Sequence, residues 1–437
     1  MKKLLFSSVL YFLAASLLGQ PPFVSFTEES GIANSGNKNR GISFADYDND
    51  GDQDIYAYTR LNENRLYENN GDGTFIDMAA VAGINYNGNT RAATWVDLNN
   101  DGFQDLYVAN YQSPDIIYIN NGPGIDNQYT FTDITASSGI AIENFEDPKA
   151  VIAADYDNDG DLDIYLSNFN TQNRLYRNNG DLTFTDVVYI SNTTDVEMSM
   201  SAIFFDYDND NDVDLYLVHD FDIPNILYQN DGNGYFTDVS EELGVDYAGD
   251  GMGVDVADIN NDGWMDIYIT NLYENTLYLN NADGTFTDIS AAAGVQDYGM
   301  GWGTFFIDYD NDGWQDIYVI NDTHFSPYPN VLYRNEGDNT FQKIGQYTDI
   351  ASEQAGFGGA CSDIDGDGFL DIVIANSGSA QGNQVFKNSG NDHHWIAFNL
   401  VGVRTNRNAV GAKVAIVYNG GEQQQFEEIH AGIGFAG

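Results

Sequence analysis

The chain has one cysteine, Cys361, in 437 residues. No disulfide can form within it, so its stability rests on packing and on any bound ions. Basic side chains are scarce as well: 16 Lys and Arg stand against 67 Asp and Glu, a formal charge of −51. Neutralising phosphates takes clustered Lys and Arg, which excludes nucleic acid as a partner and disfavours an anionic lipid surface. Beyond the first twenty residues no apolar run approaches the roughly 20 residues that a spanning helix needs. There is no His-Glu-x-x-His, no Gly-x-Ser-x-Gly, no P-loop and no Cys-x-x-Cys, so the common signatures of hydrolases and nucleotide enzymes are missing. Disorder is not the alternative. Hydrophobic residues make up 42% and aromatics 14% of the chain, ample for a packed core. The acid must therefore be arranged, as solvating surface or as ligands for cations.

Met1-Lys2-Lys3, an apolar run from Leu4 to Leu18, and Gly19-Gln20 before a Pro pair read as a secretory signal over residues 1–20. This predicts a secreted protein, extracellular or at a cell surface, with no transmembrane segment. Cys361 lies in the small-residue run Gly358-Gly359-Ala360 and is expected to be a buried, inert thiol.

What the sequence has in abundance is one motif. Asp46-Tyr47-Asp48-Asn49-Asp50-Gly51-Asp52-Gln53-Asp54 recurs with first residues at Asp97, Asp155, Asp206, Asp258, Asp308 and Asp363. Each copy follows a short run of small or apolar residues and precedes a β-rich run such as Ile55-Tyr56-Ala57-Tyr58. A third short strand (Leu66-Tyr67, Leu175-Tyr176) and a fourth (Phe75, Phe131, Phe184, Phe236, Phe286, Phe341) complete each unit. Four strands per unit of about 50 residues, seven times over, predict an all-β, seven-bladed β-propeller. The seventh unit lacks a fourth strand, and Phe26-Thr27-Glu28 is expected to supply it and close the ring. The propeller is placed over 21–390.

Each loop reads Asp-x-Asp/Asn-x-Asp-Gly-x-x-Asp. Ca²⁺ takes six to eight oxygens at about 2.3–2.6 Å, and positions 1, 3, 5 and 9 offer them, with a carbonyl at position 7. The candidate ligands are Asp46, Asp48, Asp50 and Asp54; Asp97, Asn99, Asp101 and Asp105; Asp155, Asp157, Asp159 and Asp163; Asp206, Asp208, Asp210 and Asp214; Asp258, Asn260, Asp262 and Asp266; Asp308, Asp310, Asp312 and Asp316; Asp363, Asp365, Asp367 and Asp371. An EF-hand would end with Glu at position 12 between helices; here Asp at position 9 enters a strand. Asn211 replaces the position-6 Gly in the fourth loop, which is expected to weaken that site without abolishing it. Up to seven Ca²⁺ are expected. Mg²⁺, which prefers rigid octahedral geometry, suits such loops less.

At these residues the sequence resembles the FG-GAP/VCBS family of calcium-loop propellers, similar to those of integrin α chains and cartilage acidic protein-like chains. The stretch from His394-Trp395-Ile396 through Asn406-Arg407-Asn408 to Lys413-Val414, with Gly432-Ile433-Gly434-Phe435, resembles part of an ASPIC/UnbV domain, read as a partial small β domain over 391–437. The resemblance implies secretion, calcium and binding, with no agreed catalytic activity.

If the Asp loops lie on one face, the connections after strands two and four lie on the other, where a ligand is expected. The residues six before each first Asp are Arg40, Arg91, Lys149, Met200, Met252, Trp302 and Phe357. They should ring one channel mouth, either as a polarised pocket for an anionic or amphipathic group or as a plug. His219-Asp220 and Asp322-Thr323-His324 are candidate acid/base groups or plain loop residues. The leading expectation is a non-catalytic protein- or carbohydrate-binding adhesion module; the alternative is an extracellular polysaccharide lyase or hydrolase on the same propeller.

Overall fold

The computed structural model describes residues 22–34, 38–140, 146–346, 348–378, 381–418 and 423–432. The export signal read in residues 1–20 and the end of the tail motif, Ile433 to Phe435, lie outside the described residues.

Seven four-stranded antiparallel sheets form the ring. The first blade is typical: Asn39–Ala45, Asp54–Thr59, Arg65–Asn69 and Phe75–Asp77, paired in that order. First strands of neighbouring blades pack against one another and so line the central channel. The second strand of every blade is buried along its whole length. This is why it reads as a near-continuous apolar run with Tyr at its third position in six blades. The apolar clusters lie between blades. Ile42, Ile55 and Tyr67 of the first, for example, pack with Val373, Ala375 and Val385 of the seventh.

The amino terminus closes the ring, three residues earlier in sequence than expected. Phe23–Ser25 pairs with Gln384–Asn388, with Phe23 opposite Asn388 and Ser25 opposite Phe386. Phe26 instead precedes the helical turn Thr27–Ser30. The matching feature is the left-handed glycine that ends each turn: Gly31, Gly83, Gly139, Gly244 and Gly294 have φ of 76–86° and lie eight residues after Phe23, Phe75, Phe131, Phe236 and Phe286. Only glycine adopts that conformation without strain, so its position fixes the register.

Beyond the ring, Lys413–Tyr418 and Gln423–Glu428 form a two-stranded sheet on the Asp-loop face. Arg407 N–H donates to Asn100 Oδ1 and Asn408 Oδ1 accepts from Asp97 N–H. Ala431 pairs with Ala153 of the third blade's first strand, and the half-buried His430 Nδ1 lies 3.0 Å from the Phe204 carbonyl. This segment therefore reaches the channel from the loop side. Cys361, expected to be buried, is only partly so, yet desolvation pushes its thiol up to about 12, and it is inert at neutral pH.

Candidate metal loops and the opposite channel mouth

The Asp loops are built by their own backbone. Position 1 accepts from the N–H groups of positions 5 and 6: Asp46 takes Asp50 and Gly51 at 3.0 Å each, and Asp308 takes Asp312 and Gly313 at 3.0 and 2.9 Å. Position 5 accepts from the N–H of position 7 in all seven loops. These bonds bend the loop so that its carboxylates converge. In five loops three carboxylates place oxygens within 4.8 Å of one another: Asp46, Asp48 and Asp50; Asp155, Asp157 and Asp163; Asp206, Asp208 and Asp210; Asp308, Asp310 and Asp316; Asp363, Asp365 and Asp371. In the other two, Asn99 and Asn260 bring neutral amide oxygens.

Burial opposes this concentration of charge. It raises Asp48 and Asp155 to about 6, Asp308 and Asp371 to about 7, and Asp54 and Asp105 to about 8. Oδ1 of Asp155, Asp157, Asp208, Asp310 and Asp365 is buried with no hydrogen-bond partner among the described residues. Buried, orphaned, converging carboxylate oxygens are what a hard cation satisfies, so the residues present fit Ca²⁺. The fourth loop differs at position 6, where Asn211 does adopt the left-handed conformation, φ 74°. Cations meet carboxylates of three loops: Lys413 Nζ lies 2.8 Å from Asp206 Oδ2, Arg334 Nε 3.4 Å from Asp310 Oδ2, and Lys387 pairs with Asp365.

Two features of these loops are not captured by the motif as read from sequence. The residue at position 4 is Asn49, Asn100, Asn158, Asn209, Asn261, Asn311 or Gly366, always left-handed with φ of 54–71°. Five of the six Asn side chains donate to the position-6 carbonyl of the next blade's loop, as Asn49 does to Gly102 at 3.0 Å. Gly366 has no side chain to make this link at the seam between blades seven and one. The second feature is an Asn in each third strand, its last residue in six blades and four from the start of the longer Ile116–Pro123 strand in the second. Asn69, Asn120, Asn178, Asn230, Asn280, Asn335 and Asn388 each take the position-9 Asp of their own blade through N–H. Each also donates Nδ2 to the position-2 carbonyl of the preceding blade's loop, at 2.7–2.9 Å. Position 9 is thus a structural latch as well as a candidate ligand. Both sets recur at constant spacing, which is the signal that reveals them.

At the other end of the channel the first strand of every blade carries an irregularity where it pairs with the second, between Asn39 and Gly41, Thr90 and Ala92, Pro148 and Ala150, Ser199 and Ser201, Gly251 and Val254, Gly301 and Gly303, and Gly356 and Gly358. The residues skipped in this pairing are Arg40, Arg91, Lys149, Met200, Met252 with Gly253, Trp302 and Phe357. A bulge re-aims its side chain, and six of these seven line one cavity of about 450 Å³ with Lys38, Arg60, Phe169, Asp220, Phe221, Asp322, Phe325 and Ser377. Met252 is buried instead, in the apolar cluster beneath, with Met200 and Phe357. Arg60, Phe169, Asp220, Asp322 and Ser377 each follow directly on the last residue of a second strand, a second ring that the same spacing predicts.

The mouth is electrostatically lopsided. Arg91 and Lys149 share Asp147, at 3.3 and 3.0 Å. The Arg40 guanidinium lies 4.0 Å over the Phe357 ring, which stacks on Trp302 at 4.8 Å. Desolvation lowers Arg40, helped by Arg91 and Arg60, and brings Lys149 down to about 8 despite Asp147.

The two histidine candidates sit in different surroundings, and His219 Nε2 lies 3.3 Å from Asp195 Oδ2. His219 is fully buried. Its Nδ1 lies 2.6 Å from the Pro224 carbonyl, the role Asn110 Nδ2 plays with Pro114 and Asn168 Nδ2 with Gln172. His324 is exposed, and Asp322 accepts its N–H while its other oxygen accepts from Trp302 Nε1 at 3.3 Å.

FG-GAP-like repeats match residues 46–108, 97–166, 155–217, 206–269, 260–319 and 308–374. Cartilage acidic protein 1 of Homo sapiens is 32% identical over 146 residues, 32% of this chain and 21% of that protein. Cartilage acidic protein 1 of Mus musculus is 26% identical over 421 residues, 86% of this chain and 64% of that protein. The chain thus spans less than two thirds of these relatives. Among solved structures, BBS1N in complex with ARL6DN shares the fold with a TM-score of 0.52 at 9% identity, over 85% of this chain and 98% of that one. With repeats matched from residue 46 to residue 374, the chain belongs to the FG-GAP-like repeat family.

Proposed function

We propose that this chain is an exported calcium-binding propeller that serves as a protein- or carbohydrate-binding module outside the cell, with Ca²⁺ in its Asp loops and its ligand on the opposite face. The observation that carries the reading is the difference between the two ends of the channel. The loop end is met by Lys413, His430 and Ala431, and the cavity there runs between the C-terminal segment and the metal loops, with Asp46 and Asp97 in its lining. The far end holds a cavity of about 450 Å³ built from channel-mouth residues and free of the Asp loops, within the size range of ligand pockets. The loops supply rigidity: a cation at each one satisfies carboxylates that burial otherwise forces to hold protons, and so locks the start of every second strand. The similarity to cartilage acidic protein 1 supports a binding role.

A glycan and extracellular-protein array probed in calcium and in EDTA tests this. Calcium-dependent binding without turnover is the expected result. Product formation from any array member would overturn the non-catalytic reading in favour of a carbohydrate-active enzyme. Binding that survives full chelation would remove calcium from it.

A further inference from the structure

Five of the chain's 16 basic residues line one cavity: Lys38, Arg40, Arg60, Arg91 and Lys149. All come from the first three blades. The opposite wall, from blades six and seven, is aromatic. In a chain of charge −51 this is a local inversion of sign. A plug of the channel needs no such charges, since the Met and Ala groups beneath fill the space without them. Gathering cations in a desolvated site is costly unless each is neutralised. Among the described residues a single carboxylate, Asp147, is within ion-pair distance of any of the five, and it serves only Arg91 and Lys149. Arg40 is nine-tenths buried. Its Nε, like that of Arg91, has no hydrogen-bond partner among the described residues.

We propose that this mouth binds an acidic sugar residue of a glycan, its carboxylate held by Arg40, Arg91 and Lys149 and its ring set against Trp302. This rests on the reading of the far face as the ligand face and names the class of ligand. The orphaned guanidinium N–H groups supply the fork that matches a carboxylate. The Phe357 ring already holds Arg40 against one wall, fixing the guanidinium before a ligand arrives and so lowering the entropy lost on binding. A sugar also carries hydroxyl donors, and Asp220, partly exposed at the same mouth, is an acceptor for them. The carboxylate of a peptide terminus would meet the cations equally well. It carries neither a sugar ring to set against the aromatic wall nor hydroxyls for Asp220.

The test uses the full chain in calcium, with an oligogalacturonate, its fully methyl-esterified form, and a peptide with a free carboxyl terminus as probes in titration calorimetry. The acidic sugar is expected to bind about tenfold or more tightly than its ester, a difference set by one charge-assisted contact pair. R91Q and K149Q should each erase most of that preference. W302A should weaken both sugars alike, and an unchanged calcium-bound melting temperature establishes that each variant is folded. Equal binding of acid and ester, or a preference that survives R91Q and K149Q, overturns the proposal while leaving a neutral-ligand face intact. Binding of the peptide alone overturns it in favour of a protein ligand. If no probe binds and the array hits map to the loop face, both this and the broader reading fall.

Discussion

Asp115 Oδ2 accepts a hydrogen bond of 2.8 Å from the Tyr107 hydroxyl, and its Oδ1 accepts the Asn110 N–H at 2.7 Å. In blades one, three, five and six the same place is held by Asn64, Asn173, Asn275 and Asn330. Each accepts the equivalent N–H and donates Nδ2 to the equivalent tyrosine at 2.9–3.1 Å. Blade two therefore makes the same link with the tyrosine's hydrogen bond reversed and with an ionisable group. Complete burial is the main cause that raises the Asp115 carboxyl to about 7. Unfolded, it would titrate near 3.9. Between these values the folded chain holds a proton that the unfolded chain has lost, so this group's contribution to stability is intact below about pH 4 and falls as pH rises to 7. D115N should be neutral at pH 4 and stabilise the protein by up to about 4 kcal/mol at pH 8. Melting curves of both proteins at the two pH values check this; an equal shift at both would refute it.

Chelation should lower the melting temperature steeply. Each site filled at 100 times its dissociation constant adds about 2.7 kcal/mol. The fourth loop, with Asn211 at position 6 and the Lys413 ammonium beside Asp206, should be the last to fill. K413A should tighten that site alone. Calcium titration followed by calorimetry would resolve it, and a K413A isotherm superimposable on the parent's would show that the lysine does not compete.

The latch residues should matter more than their surface-loop neighbours suggest. Removing the Asn230 amide leaves the carbonyls of Tyr156 and Val213 without their donor. N230A is expected to cost on the order of 2 kcal/mol. N49A, whose bond to Gly102 is solvent-exposed, should cost about 1 kcal/mol or less. Urea denaturation of both variants in calcium checks the order; the reverse order would contradict it.

Ring closure rests on three residues. Phe23 is 1% exposed and packs with Tyr318, Phe386 and Ile372. A chain beginning after Ser25 loses that burial and leaves the Gln384–Asn388 edge unpaired. It should melt well below the parent and self-associate through the open edge. F23A in the full-length chain, at about 3–5 kcal/mol, separates lost packing from lost pairing. A truncated chain that stays monomeric with an unchanged melting temperature would show the seventh blade to be stable on three strands.

What the sequence determined by itself is whatever is local. A nine-residue loop contains its own donors and acceptors, so Asp46 to Asp54 could be read as a turn that gathers oxygens, and its sevenfold recurrence set the number of blades. The ring of Arg40, Arg91, Lys149, Met200, Trp302 and Phe357 was legible as a register, because identical blades place equal positions on equal circles. Tertiary structure alone decided the rest. Asp147, the carboxylate that Arg91 and Lys149 share, stands at a position repeated in every blade through its backbone, but the side chains there are Lys38, Asn89, Met198, Asp250, Met300 and Ala355 in the others, so the spacing gave no sign of its pairing. The strand that closes the ring was offset by three residues, because Phe23 and Phe26 are alike in type and only the left-handed glycine at Gly31 distinguishes their places. The meeting of Lys413 with Asp206, 207 residues apart, follows from the path of the chain across the loop face, and spacing carries no information about contacts made once.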